Sequence, residues 1–192
     1  MIPAIKVTTP TGYAFSDCIS EEYRRRRIYL VGEITDAMAS EICCQINQLA
    51  ASSDEDITLW IQSHGGSVTA GFAILDTMTT CGCDIRTIAM GSVASMGAVL
   101  ASAGTKGKRY IAPHTEMMIH QALGGVSGQA ADILRTASHI RKTNDALYRI
   151  LAQNTGKDFQ QIAEDCDRDY FLDSAEAVAY GLADAIFTGF EQ

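Results

Sequence analysis

The chain reads as an α/β protein built on a parallel sheet. Two observations lead there: short apolar runs alternate with stretches of helical period, and no long linker, low-complexity segment or internal repeat interrupts the alternation. Parallel strands joined by helices imply right-handed crossovers. At 192 residues the chain falls within the range of one domain and is long enough to bury a substantial core.

The first strand is expected at 28–34. Residues 36–51 follow with Met38, Ile42, Ile46 and Leu49 at helical spacing. A second strand at 57–62 ends at Gly65-Gly66, and an amphipathic helix covers 68–78. A third strand at 85–90 feeds a small-residue helix over 94–103. Short strands are expected at 108–111 and 116–119. A long helix spans 128–153, with Ile133, Ala137, Ile140, Leu147 and Leu151 on one stripe. Helices at 159–164 and 175–180 precede a last strand at 184–187.

Composition narrows the function classes. Apolar residues at 47% against 20% charged describe a globular chain rather than a disordered one. No apolar stretch reaches the roughly 20 residues needed to span a bilayer, and a signal-peptide pattern is lacking, so a cytoplasmic protein without a membrane partner is expected. The net charge of −8 argues against a nucleic-acid binder. The basic run at 24–27 is read as a solvated or intersubunit surface. Six cysteines without a Cys-x-x-Cys pair indicate reduced thiols, neither a metal site nor a disulfide framework.

One constellation carries chemistry. Ser95 lies in Gly91-Ser-Val-Ala-Ser-Met-Gly97, where a strand hands over to a helix and the dipole favours a developing oxyanion. His120 ends the apolar run 116–120, and Asp169 lies in Asp167-Arg-Asp-Tyr170. Serine, histidine, aspartate is one chain order that builds a nucleophile, its base and the base's orienter. A serine among small residues is more often a helix cap, so spacing alone does not assign it. Val93 replaces the first glycine of a Gly-x-Ser-x-Gly elbow, which argues against an α/β-hydrolase.

Longer motifs carry a resemblance. Ser63-His-Gly-Gly-Ser-Val-Thr-Ala-Gly71, Gly91-Ser-Val-Ala-Ser-Met-Gly-Ala98, Met118-Ile-His-Gln-Ala-Leu-Gly-Gly125 and Asp167-Arg-Asp-Tyr-Phe-Leu172 occur in that order. Gly104-Thr-Lys-Gly-Lys-Arg109 and Ala175-Glu-Ala-Val-Ala-Tyr-Gly-Leu182 accompany them. From about Ile28 onward the chain resembles the proteolytic subunit of the Clp protease (ClpP), peptidase family S14.

The resemblance implies a crotonase-like β-β-α superhelix with a protruding helical handle. It divides the chain into an axial-loop-like segment, 1–27, and a single peptidase domain, 28–192. It implies a serine endopeptidase with Ser95 as nucleophile, His120 as general base and Asp169 as orienting carboxylate. The amides of Gly66 and Met96 would form the oxyanion hole. Gly65, Gly66, Gly124 and Gly125 would leave backbone free to pair an extended substrate. Unfolded polypeptides would be cut to short peptides inside two stacked heptameric rings, homomeric or shared with a second ClpP paralogue. The peptidase needs no cofactor, and ATP is consumed by a partner AAA+ unfoldase. Trp60, Ile88, Met90 and Phe187 would line the unfoldase-docking cleft.

Departures matter. His64 stands where the family usually has proline. Thr58, Thr80 and Ala112 replace larger apolar residues of the cleft, which points to weaker docking or to a ring subunit inactive alone. An acyl-CoA hydratase or isomerase on the same fold is the remote alternative, disfavoured by the Ser/His/Asp set.

Overall fold

The computed structural model describes residues 4–190. In chain order its elements are β1 (Ala4–Thr9), β2 (Gly12–Asp17), α1 (Cys18–Arg24), β3 (Arg27–Val31), α2 (Asp36–Ala50), β4 (Ile57–Gln62), α3 (Val68–Thr80), β5 (Ile85–Ala89), β6 (Ser92–Ala94), α4 (Met96–Ser102), β7 (Arg109–Ile111), β8 (Glu116–Ile119), α5 (Ala130–Thr155), α6 (Phe159–Asp165), β9 (Tyr170–Leu172), α7 (Ser174–Tyr180) and β10 (Ala185–Ile186). A five-stranded sheet in the order β10-β7-β5-β4-β3 is parallel throughout. A second sheet, β6-β8-β9, pairs β6 parallel and β9 antiparallel to β8. The architecture is mixed α/β, as the alternation of strands and helices predicts.

Local chemistry explains the central layer. Along β3, Ile28 and Leu30 face inward while Tyr29 and Val31 face outward. Helix α2 starts where the Thr35 hydroxyl accepts the Met38 amide at 3.2 Å. It buries Ala39, Ile42, Ile46 and Leu49, one face at helical spacing. Ser67 caps α3 in the same way. Ile28, Leu59, Ile61, Ile74 and Leu100 are buried to within 1% of full enclosure. Each such side chain is worth roughly 1.5–3 kcal/mol against exposure.

Several expectations shift. The third strand ends at Ala89, and after a turn at Gly91 the residues Ser92–Ala94 cross into the second sheet as β6. A run of three residues is too short to show a period, which is why neither β6 nor β9 stands out in the sequence. The following helix begins at Met96, because Ser95 holds a positive φ of 55°. Helix α5 buries only Leu147, Tyr148 and Leu151. Ile133 and Ala137 of the expected stripe are exposed, so the first half of α5 projects as a handle.

The basic run is also corrected. Arg24 and Arg25 are exposed, yet Arg26 is buried and donates to the carbonyls of Leu49, Ser53, Glu55 and Asp56. It ties the turn between α2 and β4 to the start of β3, a structural duty rather than a surface one. Residues 4–24 form a hairpin, with Thr9 opposite Gly12, followed by a helix capped by Asp17.

Arg109 closes the other end. Its guanidinium is 4% exposed and donates to the carbonyls of Ser102, Asn154 and Gly181, so it binds the ends of α4, α5 and α7 together. The Asp184 carboxylate takes the remaining N–H groups, at 3.0 Å from Nε and 2.5 Å from Nη2, and also accepts from the Gly107 amide. Burial alone would raise the Asp184 carboxyl; the Arg109 and Gly107 bonds outweigh it and hold the group below its ordinary value. That stability is present above the ordinary carboxylate range and is lost as pH falls through the lowered value. Asp184→Asn leaves a buried cation without its partner and should cost about 3 kcal/mol at neutral pH. Chemical denaturation at several pH values checks this: the gap between wild type and variant should close below about pH 4.

Candidate active site

The second sheet assembles the site. Its β8–β9 ladder pairs Met117 with Leu172, Met118 with Phe171 and Ile119 with Tyr170. The next rung sets His120 opposite Asp169, and His120 Nδ1 lies 2.9 Å from Asp169 Oδ1. On the other side, β6 pairs Ala94 with Met118, and the Ser95 amide donates to the Met118 carbonyl at 2.8 Å. Ser95 therefore leaves the same end of the sheet, and its Oγ lies 2.8 Å from His120 Nε2. With Nδ1 donating to the carboxylate, Nε2 is the acceptor for the serine proton.

Ser95 is held in an uncommon conformation. At φ 55° and ψ −125° it is one of two non-glycine residues with positive φ among the described residues. A side chain pays for that geometry unless its surroundings impose it, and such positions gather at sites of chemistry. Here the turn lifts Oγ clear of α4 while Met96 begins the helix.

The loop carrying Gly65 and Gly66 crosses beside the serine. Ser63 O accepts the Ala94 amide at 2.8 Å, Gly65 O accepts from Ile34 at 2.9 Å, and Ile34 O accepts from Ser67 at 2.8 Å. A Cβ on Gly65 would stand 2.8 Å from that of Ser95, and one on Gly66 would run into the Ile34 carbonyl. Both glycines also have positive φ, 96° and 147°, so no other residue fits either position without strain. The neighbours of Gly66 bond to Ile34, which leaves its own N–H turned away and without an acceptor among the described residues. Met96 N–H, at the first position of α4, is likewise free of an intrahelical partner. An oxyanion beside Ser95 would need two free N–H donors.

The model of the Clp protease family matches residues 10–189. The chain belongs to the Clp protease family. Membership supports a ClpP-type serine protease, and the three residues that the motifs single out converge within hydrogen-bonding distance.

The remaining residues singled out by the sequence lie as follows. Gly124 and Gly125 are exposed, beyond the end of β8, in a stretch with no regular structure. His64 is exposed, with Nδ1 3.5 Å from Ser92 Oγ, and touches none of the three converging side chains. Trp60 and Ile88 share a row with Tyr29 and Tyr110 across the sheet face opposite the helices. Trp60 stacks on Tyr29 at 6.1 Å, and Phe187 stands edge-on to it at 5.4 Å. Ile88 is fully buried between Trp60 and Tyr110 and offers no surface of its own. Met90 is half-buried two residues further along. Thr58 is buried between Arg27 and Arg86, whose guanidiniums approach the Phe190 ring to 4.1 and 5.9 Å. Phe190, absent from the expected set because the last residues carry no period, packs on Trp60 and Phe187. Thr80 is exposed, and Ala112 is half-buried.

Two contacts near His120 escape any sequence reading. Gln121 donates its amide to Cys166 O at 2.7 Å and its side chain to Asp167 O at 2.8 Å, which fixes the loop leading to Asp169. Cys166 is itself fully buried, and its thiol is pushed up to about 12 by burial and by Asp165. It is a packing residue, not a nucleophile.

Asp169→Asn should keep the fold, since the carboxylate is exposed, but remove the acceptor that selects the His120 tautomer. Peptide turnover should fall about 10⁴-fold. Steady-state peptidase assays with circular dichroism as a fold control test this; near wild-type turnover would move the orienting role to another carboxylate, with Asp167 next in line.

Proposed function

We propose that this chain is a serine endopeptidase that cuts unfolded polypeptides to short peptides. The observation that carries the reading is the relay from Asp169 through His120 to Ser95, with bonds of 2.9 and 2.8 Å. Ser95 Oγ attacks the scissile carbonyl as His120 Nε2 takes its proton. The Gly66 and Met96 amides receive the oxyanion, and His120 then protonates the leaving amine. Water repeats the path to release the acyl group. The scheme draws on no cofactor.

Beside Ser95, the side chains of Val68, Met96, Val99, Ala122, Leu147 and Leu151 line a small apolar cavity, the wall against which a substrate side chain would pack. Past Ala122 the amides of 123–128 have no acceptor among the described residues, which suits backbone pairing by an extended substrate around Gly124 and Gly125. Gly65 and Gly66 would border the same strand.

Assembly into two stacked heptameric rings is the quaternary reading. Exposed Leu123, Ile133 and Leu134 on and before the handle are apolar surface suited to a second copy. The segment 1–27 would line the axial entrance; Tyr13 and Phe15 stand exposed on its hairpin. An AAA+ unfoldase, which spends the ATP, would dock on the aromatic row of Trp60 and Phe187, with Ile88 beneath and Met90 beside. Thr58 beneath Phe190, together with Thr80 and Ala112, favours weak docking by this chain and a second, more apolar paralogue in the assembly. The protein would act in the cytoplasm.

A fluorophosphonate should label Ser95 and no other serine, by intact-mass and peptide mapping. Ser95→Ala should lower turnover about 10⁶-fold. Labelling at another serine would refute the assignment. Peptidase assays of the purified chain, alone and with a second ring-forming subunit, separate an autonomous enzyme from a ring partner: activity only in the mixture, lost with Ser95→Ala, would make this chain a dependent subunit.

A further inference from the structure

Beyond His120 the chain has few anchors. Residues 121–129 have no regular structure, and among the described residues the one backbone amide held after Gln121 and before α5 is that of Ala122. Its N–H donates to Asn144 Oδ1 at 2.7 Å. Asn144 belongs to α5, one turn before Leu147 and two before Leu151, the helix residues that close the pocket beside Ser95. Ala122 lines that pocket too, two residues from the base. The contact thus joins the handle helix to the segment that carries both His120 and the pocket wall.

The chemistry of the pair is directional. A backbone N–H needs an acceptor, so the asparagine must present its carbonyl oxygen, and neither leucine nor alanine at 144 would supply one. A released Ala122 amide would seek solvent, and the strand exit would move with it. The Ser95–His120 bond tolerates little of that, since displacements near 1 Å cost on the order of 10²-fold in rate.

We infer that Asn144 is a positioning residue, whose amide oxygen captures Ala122 N–H and so holds His120 in line with Ser95. The inference rests on the reading of Ser95 and His120 as nucleophile and base. Asn144→Leu keeps size and helix propensity but loses the acceptor. Asn144→Asp keeps the acceptor. The readout is the rate of fluorophosphonate labelling at Ser95, measured well above the imidazole titration range, with thermal unfolding as a fold control. Asn144→Leu should slow labelling about 10- to 100-fold, and Asn144→Asp should recover most of the rate. A general structural role would lower both variants alike and track their unfolding temperatures. Labelling of Asn144→Leu at the wild-type rate, or an equal loss in both variants, overturns the inference. Should Asn144→Leu fail to fold, Asn144→Ala repeats the comparison. Wild-type protein that is not labelled at Ser95 would instead refute the underlying assignment, so the two failures are distinguishable.

Discussion

The pairing register of the three-stranded sheet is the constraint on which the site depends. Strands β6, β8 and β9 end or begin at one edge, and their last rungs deliver Ser95, His120 and Asp169 to adjacent positions. A slip of one residue in either ladder would turn the affected side chains to the other face and break the relay. Val93, Met117, Ile119 and Leu172 are each at most 3% exposed, and their burial is what makes such a slip costly. The geometry of the candidate site therefore draws on core packing as much as on its own hydrogen bonds.

A second layer of constraint presses the serine turn into place. The Gly65–Gly66 loop is bonded to Ile34 on one side and, through Ser63, to Ala94 on the other. It leaves no room for side chains where it passes Ser95 and Ile34. The strained φ of Ser95 is maintained because both flanks are bonded, Ala94 to Ser63 and Ser95 to Met118. At the far end of α4, Ser102 O accepts from buried Arg109, which also gathers α5, α7 and, through Asp184, the start of β10. The helix that begins just after Ser95 is thus fixed at both ends.

The two faces of the five-stranded sheet differ in kind. One packs against α2, α3 and α4 with aliphatic side chains. The other carries a row of aromatic residues against which Phe187 and Phe190 pack, and the buried Trp60 Nε1 has no acceptor among the described residues. Parallel sheets normally have both faces covered. The Arg27 and Arg86 guanidiniums around Phe190 lie on either side of Thr58 on this face.

Much of this was legible in the residue order. Periodicity located the central strands and α2, α3 and α5, since burial on one face leaves its spacing in the sequence. The motifs singled out Ser95, His120 and Asp169, the side chains that the structure brings together, because a strand-to-helix serine and small flanking residues are local features. What local pattern did not carry was β6 and β9, three residues each, whose identity as strands comes from their neighbours across β8. The same holds for Arg26 and Arg109, charges whose burial depends on carbonyls from distant turns, and for the exposed first half of α5, whose apolar spacing resembles that of a packed helix. The link from Asn144 to Ala122 likewise spans elements with no shared periodicity. Sequence determined which side chains were available and the local backbone they prefer; only tertiary structure decided their register and distance, because those are set by long-range pairing and close packing that no short window contains.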